Sequence, residues 1–363
     1  MQIQNTQALK TYFDLMSANA TARVYQAAIK SGLIDALGDG PRAVGELVES
    51  TGFQTRPVQL LLESLVALGL VDESDGRDDR DGHILRQERN EELYALAPAA
   101  QFLRGGYRNL GDEYWDHLPS FLRTGQPLSR MDRVEESETQ YMRQAAALRW
   151  MMLPAATLVA EKLAAHGALE GSQRYLDVAA GSAVWSLSAA SRNPHAKVTA
   201  ADWSGVLAVA EQTADSLGMA ERFTALPGNF FEQSLPAESY DVVFVANFVH
   251  LLDPESIERM FAKLYAATKP GGRLVVVDVF KGQAAGDVSR AMYQLGLELR
   301  TESGRTYDCD DILRVSRQVG FEDASFEPLP VVPFTMGMVV ANRKLRCSGT
   351  RRNCVSADGV AHG

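Results

Sequence analysis

Between residues 6 and 37 apolar side chains recur at helical spacing, notably Leu15, Val24, Ala28, Leu33 and Leu37, and the run stops at the breaker GDGP. Two shorter helices are expected next. "AVGELVESTG" puts Val44, Leu47 and Val48 on one face and stops at Gly52. Thr55 can cap a second helix, with Pro57 near its start, that carries Leu60, Leu61, Leu65 and Val66 on to Leu70. "LGLVDES" and "LYALAP" then read as short strands around a charged loop. Further on, "YMRQAAALRWMMLPAATLVAEKL" predicts a long helix whose Met142, Trp150, Met151 and Met152 serve either the core or a pocket for a flat apolar ligand.

From Arg174 onward strands and helices alternate. "RYLDVA", "KVTAAD", "RFTALPG", "YDVVFVANFV" and "RLVVVDVF" read as strands, separated by helices in "AVWSLSAASRN", "GVLAVAEQTADSLG" and "PESIERMFAKLYAATKPGG". The last helix is expected to be capped by Asp253, to carry Pro254 in its first turn and to end at Gly271. Such alternation predicts an α/β domain whose mostly parallel sheet is covered on both faces. Helices near 287–302 and 310–320 follow, and "SFEPLP" and "FTMGMVVANRK" look like an appended antiparallel pair. The expected boundaries are a dimerisation domain over 1–100, a helical linker and pocket segment over 101–167, a cofactor domain over 168–345 and a disordered tail over 346–363.

The helix–helix–strand–strand order near the N-terminus predicts a winged helix, and charge decides its use. A DNA reader exposes basic and amide groups on its second helix, whereas this one offers only Arg56 and Gln59 before turning apolar. Acidic residues outnumber arginines between Val71 and Leu93, and the whole chain carries a formal charge of -10, the wrong sign for phosphate polymers. A packing and homodimerisation role is expected instead, rather than nucleic-acid binding or a ligand-sensing regulator. With 46% hydrophobic and 23% charged residues in 363, the chain reads as folded and globular. No stretch predicts a membrane span or a secretion leader, and Cys309, Cys347 and Cys354 lack CxxC spacing, so a reducing cytoplasm is expected, with no zinc site and no metal.

Ligands of open α/β sheets sit at the carboxyl ends of the strands, near the reversal of strand order. Here the first such loop is AAGSA, residues 179–183, with Asp177 at its mouth and Asp202 ending the second strand. A pyrophosphate needs several glycines and no adjacent carboxylate, whereas S-adenosylmethionine places an amino-acid zwitterion and a sulfonium cation there. The single Gly181 between Ala179 and Ala183 therefore suits S-adenosylmethionine better than a dinucleotide. A His at the end of a central strand, as His250 is in "NFVHLLD", is either structural or a base that titrates near neutrality.

These residues, taken with the order of the domains, resemble the small-molecule O-methyltransferases that include plant caffeate and hydroxyindole enzymes and bacterial polyketide-tailoring enzymes. The resemblance runs from about residue 10 to 345 and implies a winged-helix dimerisation domain followed by a Rossmann-like class I methyltransferase domain, whose mostly parallel seven-stranded sheet has an antiparallel C-terminal strand. The family's D-x-G-x-G-x-G stands here as Asp177-Val178-Ala179-Ala180-Gly181-Ser182-Ala183, with two glycines replaced. The resemblance implies that Asp202 holds the ribose, that Trp203 packs on adenine, and that Asn229 and Phe230, in "GNFF" where the family has G-D-F-F, flank the adenine. It makes His250 the general base beside Asn247. Glu298 and Glu302 are candidates to orient the imidazole, or else solvent-facing helix charges. Acceptor contacts are expected from Trp115, Met142, Met151, Met292, Tyr293 and Leu297. The implied reaction is methyl transfer to a phenol or enol hydroxyl of a small, aromatic or polyketide-like metabolite. N- or C-methylation, or non-methylating chemistry such as hydroxylation or decarboxylation, are alternatives on the same fold.

Overall fold

The chain divides between Glu113 and Tyr114 into two units, seen here in a computed structural model that describes residues 6–74, 92–104, 112–171, 173–281, 287–331 and 336–346. The first unit holds α1 (Thr6–Lys30), α2 (Leu33–Leu37), β1 (Arg42–Ala43), α3 (Val44–Thr51), α4 (Thr55–Ala67), β2 (Val71–Ser74) and β3 (Leu93–Leu96). Its strands form a small antiparallel sheet in the order β1-β3-β2. Ala28, Leu33, Ile34, Leu37, Leu62, Leu65 and Tyr94 make its core. Only the second half of α1 contributes to that core: Leu15, expected to face inward, is 62% exposed, along with Leu9, Tyr12, Phe13 and Met16. Thr55 proves to be the first helical residue, and Gln54, in extended conformation, takes the cap position without a side-chain bond. Most of the charged loop and the expected tail lie outside the described residues.

The second unit contains α5 (Asp112–Thr124), α6 (Val134–Ala165), β4 (Arg174–Val178), α7 (Val184–Ala190), β5 (Lys197–Asp202), α8 (Ser204–Ser216), β6 (Phe223–Pro227) and β7 (Tyr240–Ala246). It continues with α9 (Pro254–Ala267), β8 (Thr268–Asp278), α10 (Val288–Glu298), α11 (Cys309–Gln318), β9 (Glu322–Leu329) and β10 (Met336–Asn342). The segment expected as a linker thus carries α6, which packs on α7 and α8 as part of the sheet's own cover. Seven strands run in the order β6-β5-β4-β7-β8-β10-β9. β4 to β8 pair in parallel, and β10 is antiparallel to both its neighbours.

Alternation along each central strand sends side chains into two cores. Tyr175, Phe244 and Val275 join the α6, α7 and α8 side, while Leu176, Val243, Val245 and Val276 join α9 and α11. Burial on both faces explains why these strands read as continuous apolar runs rather than alternating ones. One boundary differs from expectation: α9 stops at Ala267, and Thr268 to Gly272 already belong to β8. Thr268 is extended, and Pro270 pushes the residue before it out of the helical region, so the strand claims a stretch that composition assigned to a helix end. The chain steps from β4 to β5 and β6 on one side and returns to the other side with β7, so the order reverses at β4. A ligand crevice belongs at the carboxyl ends of β4 and β7.

Candidate functional site

After β4 the backbone turns through three left-handed residues, Ala179 (φ 52), Gly181 (φ 56) and Ala183 (φ 55). They are the three positions where the resembled motif has glycine, so the turn keeps its shape while two alanines bear a conformation that costs about 1–2 kcal/mol each. Across the turn, Asp202 at the end of β5 accepts the Gly181 N–H at 2.7 Å on one oxygen and the Trp203 N–H at 2.7 Å on the other. Burial lifts its carboxyl to about 6 even so, opposed by those two N–H groups. Each oxygen keeps lone pairs for another donor, which is what paired ribose hydroxyls supply. Below the loop Asp177 is 1% exposed and accepts the Ser186 hydroxyl at 2.6 Å. Burial pushes it up to about 7, with the Ser186 bonds pulling the other way.

Two adjoining pockets of about 600 and 700 Å³ open over this turn and share Ser137, Ala179, Asp202, Trp203, Phe248 and Leu251. Asn229 and Phe230 line the first; Gly181 and Asn247 line the second. Seven of the eight expected cofactor residues therefore border one cleft, and Asp177 lies beneath it. Trp203 is fixed by its indole N–H, which donates to Ser137 Oγ at 3.0 Å. The Asn229 carbonyl already accepts the Phe231 N–H at 3.0 Å.

The acceptor residues are brought together less completely, because helical phase decides which side chains face the cleft. α6 presents Tyr141, Ala145, Leu148 and Met152 along one stripe. The expected Met142 and Met151 fall beside that stripe: Met142 packs on Gly205 so closely that a β-carbon there would collide, and Met151 packs on the core. Trp115 and Met292 are partly exposed, and Leu297 is fully buried. None of the six lines the two pockets. The i, i+4, i+7, i+11 spacing from Tyr141 to Met152 was the sequence signal that could have found the stripe of α6 that lines the cleft.

His250 lies in a short 3₁₀ turn after β7, 6% exposed, between Phe248 and Leu251. Its Nδ1 is 2.8 Å from Oδ1 of Asp278, which ends β8 and is fully buried. Oδ1 also accepts the Val279 N–H at 2.8 Å. A carboxylate there fixes the tautomer that carries hydrogen on Nδ1 and leaves a lone pair on Nε2. Asp278, rather than Glu298 or Glu302, therefore orients the ring. Glu302 pairs with Arg133 and Glu298 bonds Gln294 at 3.1 Å, so both carboxylates are engaged elsewhere. Tyr293 Oη lies 3.3 Å from Nδ1 and 3.5 Å from Nε2, nearly equidistant, so it sits against the ring without aligning on either nitrogen. Burial, with Asp278 nearby, raises the Tyr293 phenol above its ordinary range and keeps it protonated.

Residues 108–322 match the O-methyltransferase domain, and residues 13–105 match the O-methyltransferase dimerisation domain. The chain belongs to the O-methyltransferase family. Its cofactor is S-adenosylmethionine, whose ribose and amino-acid ends suit the Asp202 carboxylate and the turn above it. This O-methyltransferase is 26% identical over 301 residues to the 3-hydroxy-5-methyl-1-naphthoate 3-O-methyltransferase of Streptomyces sahachiroi, covering 81% of this chain and 84% of that one. It is 27% identical to the 3-amino-4-hydroxybenzoate 4-O-methyltransferase of Streptomyces cremeus over 86% of this chain and 84% of that one. The crystal structure of human N-acetylserotonin methyltransferase in complex with S-adenosylmethionine shares its fold with a TM-score of 0.67 and 19% identity, over 95% of this chain and 100% of that one. Among the described residues, no helix is long and apolar enough to cross a membrane.

Proposed function

We propose that this enzyme methylates a hydroxyl on an aromatic or polyketide-like small molecule, with His250 as the general base and Asp278 as the group that positions it. The buried His250–Asp278 pair beside the S-adenosylmethionine turn carries the reading. Bound S-adenosylmethionine supplies an electrophilic methyl on a sulfonium. Asp202 takes the ribose hydroxyls, Trp203 and Phe230 flank the adenine, and Asn229 and Asn247 offer polar contacts at the two ends of the cleft. The acceptor lies along Tyr141, Ala145, Leu148 and Met152, an apolar wall suited to a flat ring. Its hydroxyl meets Nε2 of His250, the nitrogen that the Asp278 contact leaves with a lone pair. There the imidazole receives the hydroxyl proton while Asp278 stabilises the imidazolium that forms, and the chain's remaining contribution is alignment. The 3-hydroxy-5-methyl-1-naphthoate and 3-amino-4-hydroxybenzoate enzymes named above support a phenolic acceptor.

The exposed apolar half of α1, with Leu9, Tyr12, Phe13, Leu15 and Met16 uncovered in one chain, supports a homodimer built through the N-terminal unit, whose helices and hairpin follow a winged-helix order. A cytoplasmic location fits the sparse cysteines. Incubating the protein and its His250→Ala variant with methyl-labelled S-adenosylmethionine and a panel of phenols tests the assignment. Transfer by the parent and its loss in the variant is the expected result; equal transfer in both rejects His250 as the base.

A further inference from the structure

A guanidinium stands beside this machinery, and among the described residues no carboxylate pairs with it. Arg300 follows α10, and its guanidinium carbon lies 5.5 Å from the centre of the Tyr293 ring. The same ring meets the His250 imidazole edge-on at 5.8 Å, so base and guanidinium flank one aromatic side chain. Arg300 Nη1 also borders the space above Gly296, 3.5 Å from where a β-carbon would sit, with the Trp115 ring at 3.6 Å from the same point.

Three other arginines of this unit are tied off by carbonyls or carboxylates. Arg343 donates to the carbonyls of Tyr265 and Thr268 and pairs with Glu238, Arg222 donates to two carbonyls at 3.0 Å, and Arg133 pairs with Glu302. Arg300 makes no ion pair among the described residues; its side chain is hydrogen-bonded to Tyr293 instead, beside the base. What anchors this stretch is its main chain: the Arg300 carbonyl accepts the Met131 N–H at 3.0 Å and the Ser129 hydroxyl at 3.3 Å. The side chain is thus not needed to hold the loop. Its charge is felt both by Tyr141, on the wall of the cleft, and by Tyr293, on the base, easing against burial the ionisation of each. The charged side chains that line the cleft, Asp132 and Asp202, are acidic.

We propose that Arg300 binds a carboxylate carried by the acceptor, so that the acceptor is an aromatic hydroxy acid held by Arg300 at one end and by His250 at the other. The inference rests on the reading of His250 as the base. A planar guanidinium takes a carboxylate through two parallel N–H bonds and tolerates aromatic neighbours better than an ammonium does. Asp132 and Asp202 repel the same carboxylate from the cofactor end, which fixes the direction in which the acid enters.

The test compares a hydroxynaphthoic acid with the naphthol that lacks only the carboxyl group, in the parent enzyme, Arg300→Met and Arg300→Lys. The parent is expected to show kcat/KM at least about tenfold higher for the acid, and Arg300→Met to lower that ratio by about 10- to 100-fold, through KM rather than kcat. Arg300→Lys, which keeps the charge and loses the fork, retains part of the preference. Quenching of tryptophan fluorescence by the acid reads the same loss without turnover. Methylation of the naphthol with no preference for the acid, or a preference unchanged in Arg300→Met, overturns the carboxylate assignment alone. Failure with both probes, while S-adenosylmethionine still binds, overturns it together with the reaction assigned above.

Discussion

Asp278→Asn isolates what the buried carboxylate does for His250. Oδ1 of Asp278 accepts from both His250 Nδ1–H and the Val279 N–H, each at 2.8 Å, and an asparagine carbonyl in the same place accepts from both as well. The acceptor for Nδ1–H is kept; the negative charge is lost, and the amide nitrogen faces the His250 backbone N–H that Oδ2 accepts at 3.4 Å. What disappears is the difference between a hydrogen bond to a carboxylate and one to an amide, about 1.5–3 kcal/mol, felt only once the imidazole is positively charged. The expected loss is about 10- to 100-fold in kcat, with the affinity for S-adenosylmethionine unchanged by calorimetry. His250→Ala removes the base itself and should cost about 10²- to 10⁴-fold. Because Asp278 acts only through His250, the double variant should be no slower than His250→Ala alone. Single-turnover rates at saturating acceptor give the three values. Losses that multiply in the double variant, or an Asp278→Asn rate within twofold of the parent, would refute the coupling.

Asp202→Asn sets an amide nitrogen against one of two backbone N–H donors, Gly181 or Trp203, and removes the charge that faces the ribose. The Kd for S-adenosylmethionine should rise about 10- to 100-fold, and an unchanged Kd places the ribose elsewhere. Ala179→Gly relieves a left-handed alanine on the cleft wall, worth about 1–2 kcal/mol, against about 0.5–1 kcal/mol of added chain entropy. A gain of about 0.5–1 kcal/mol is expected in denaturant unfolding, whereas Ala183→Gly also loses a fully buried methyl, about 0.8 kcal/mol, and should come out near neutral. Equal effects at the two sites would mean that backbone strain does not govern the turn. Asp177, ordinarily at 3.8 and lifted by burial to about 7, keeps a proton in the folded chain that the unfolded chain has already released. Its contribution to stability is full below about 3.8 and is lost as pH rises through about 7, and Asp202, lifted to about 6, acts in the same direction. From about pH 5.5 to pH 8 the cofactor-free protein should lose about 2 kcal/mol through Asp177, and Asp177→Asn should flatten that slope in thermal scans.

The central strands were legible because two-sided burial writes itself as valine-rich runs, and the turn at residues 179–183 because a strand ending in Asp177 and a following strand ending in Asp202 bracket it. His250 was legible for the same reason, as a polar residue just past the end of β7. Its partner was not read as such. Attention to helix charges favoured Glu298 and Glu302, yet Ala246 of β7 pairs with Val277 of β8, so the carboxyl ends of these strands are neighbours and the residue after Val277 is Asp278. An acid that closes an otherwise apolar strand was the available signal, the same one that singled out Asp177. The cleft-lining stripe of α6 was missed through residue type: methionines attracted attention where helical phase, running Tyr141, Ala145, Leu148 and Met152, was the better guide.

Asp177, Asp202 and Asp278 share a further property. They lie at or one residue before the carboxyl ends of three strands, and their observed partners are a serine hydroxyl, backbone N–H groups and an imidazole; among the described residues none pairs with lysine or arginine. Carboxylates held in this way leave much of their charge uncompensated, as the raised values of Asp177 and Asp202 register. A cation at the crevice supplies the missing term, and an uncharged thioether of the same shape does not. The acidic strand ends are expected to bind the charged methyl donor more tightly than its neutral product, a difference that calorimetry with the two compounds measures, and equal affinities would refute it. Arg300, whose guanidinium lies 5.5 Å from the Tyr293 ring that also meets His250, brings positive charge to the side of the base, away from these three acids.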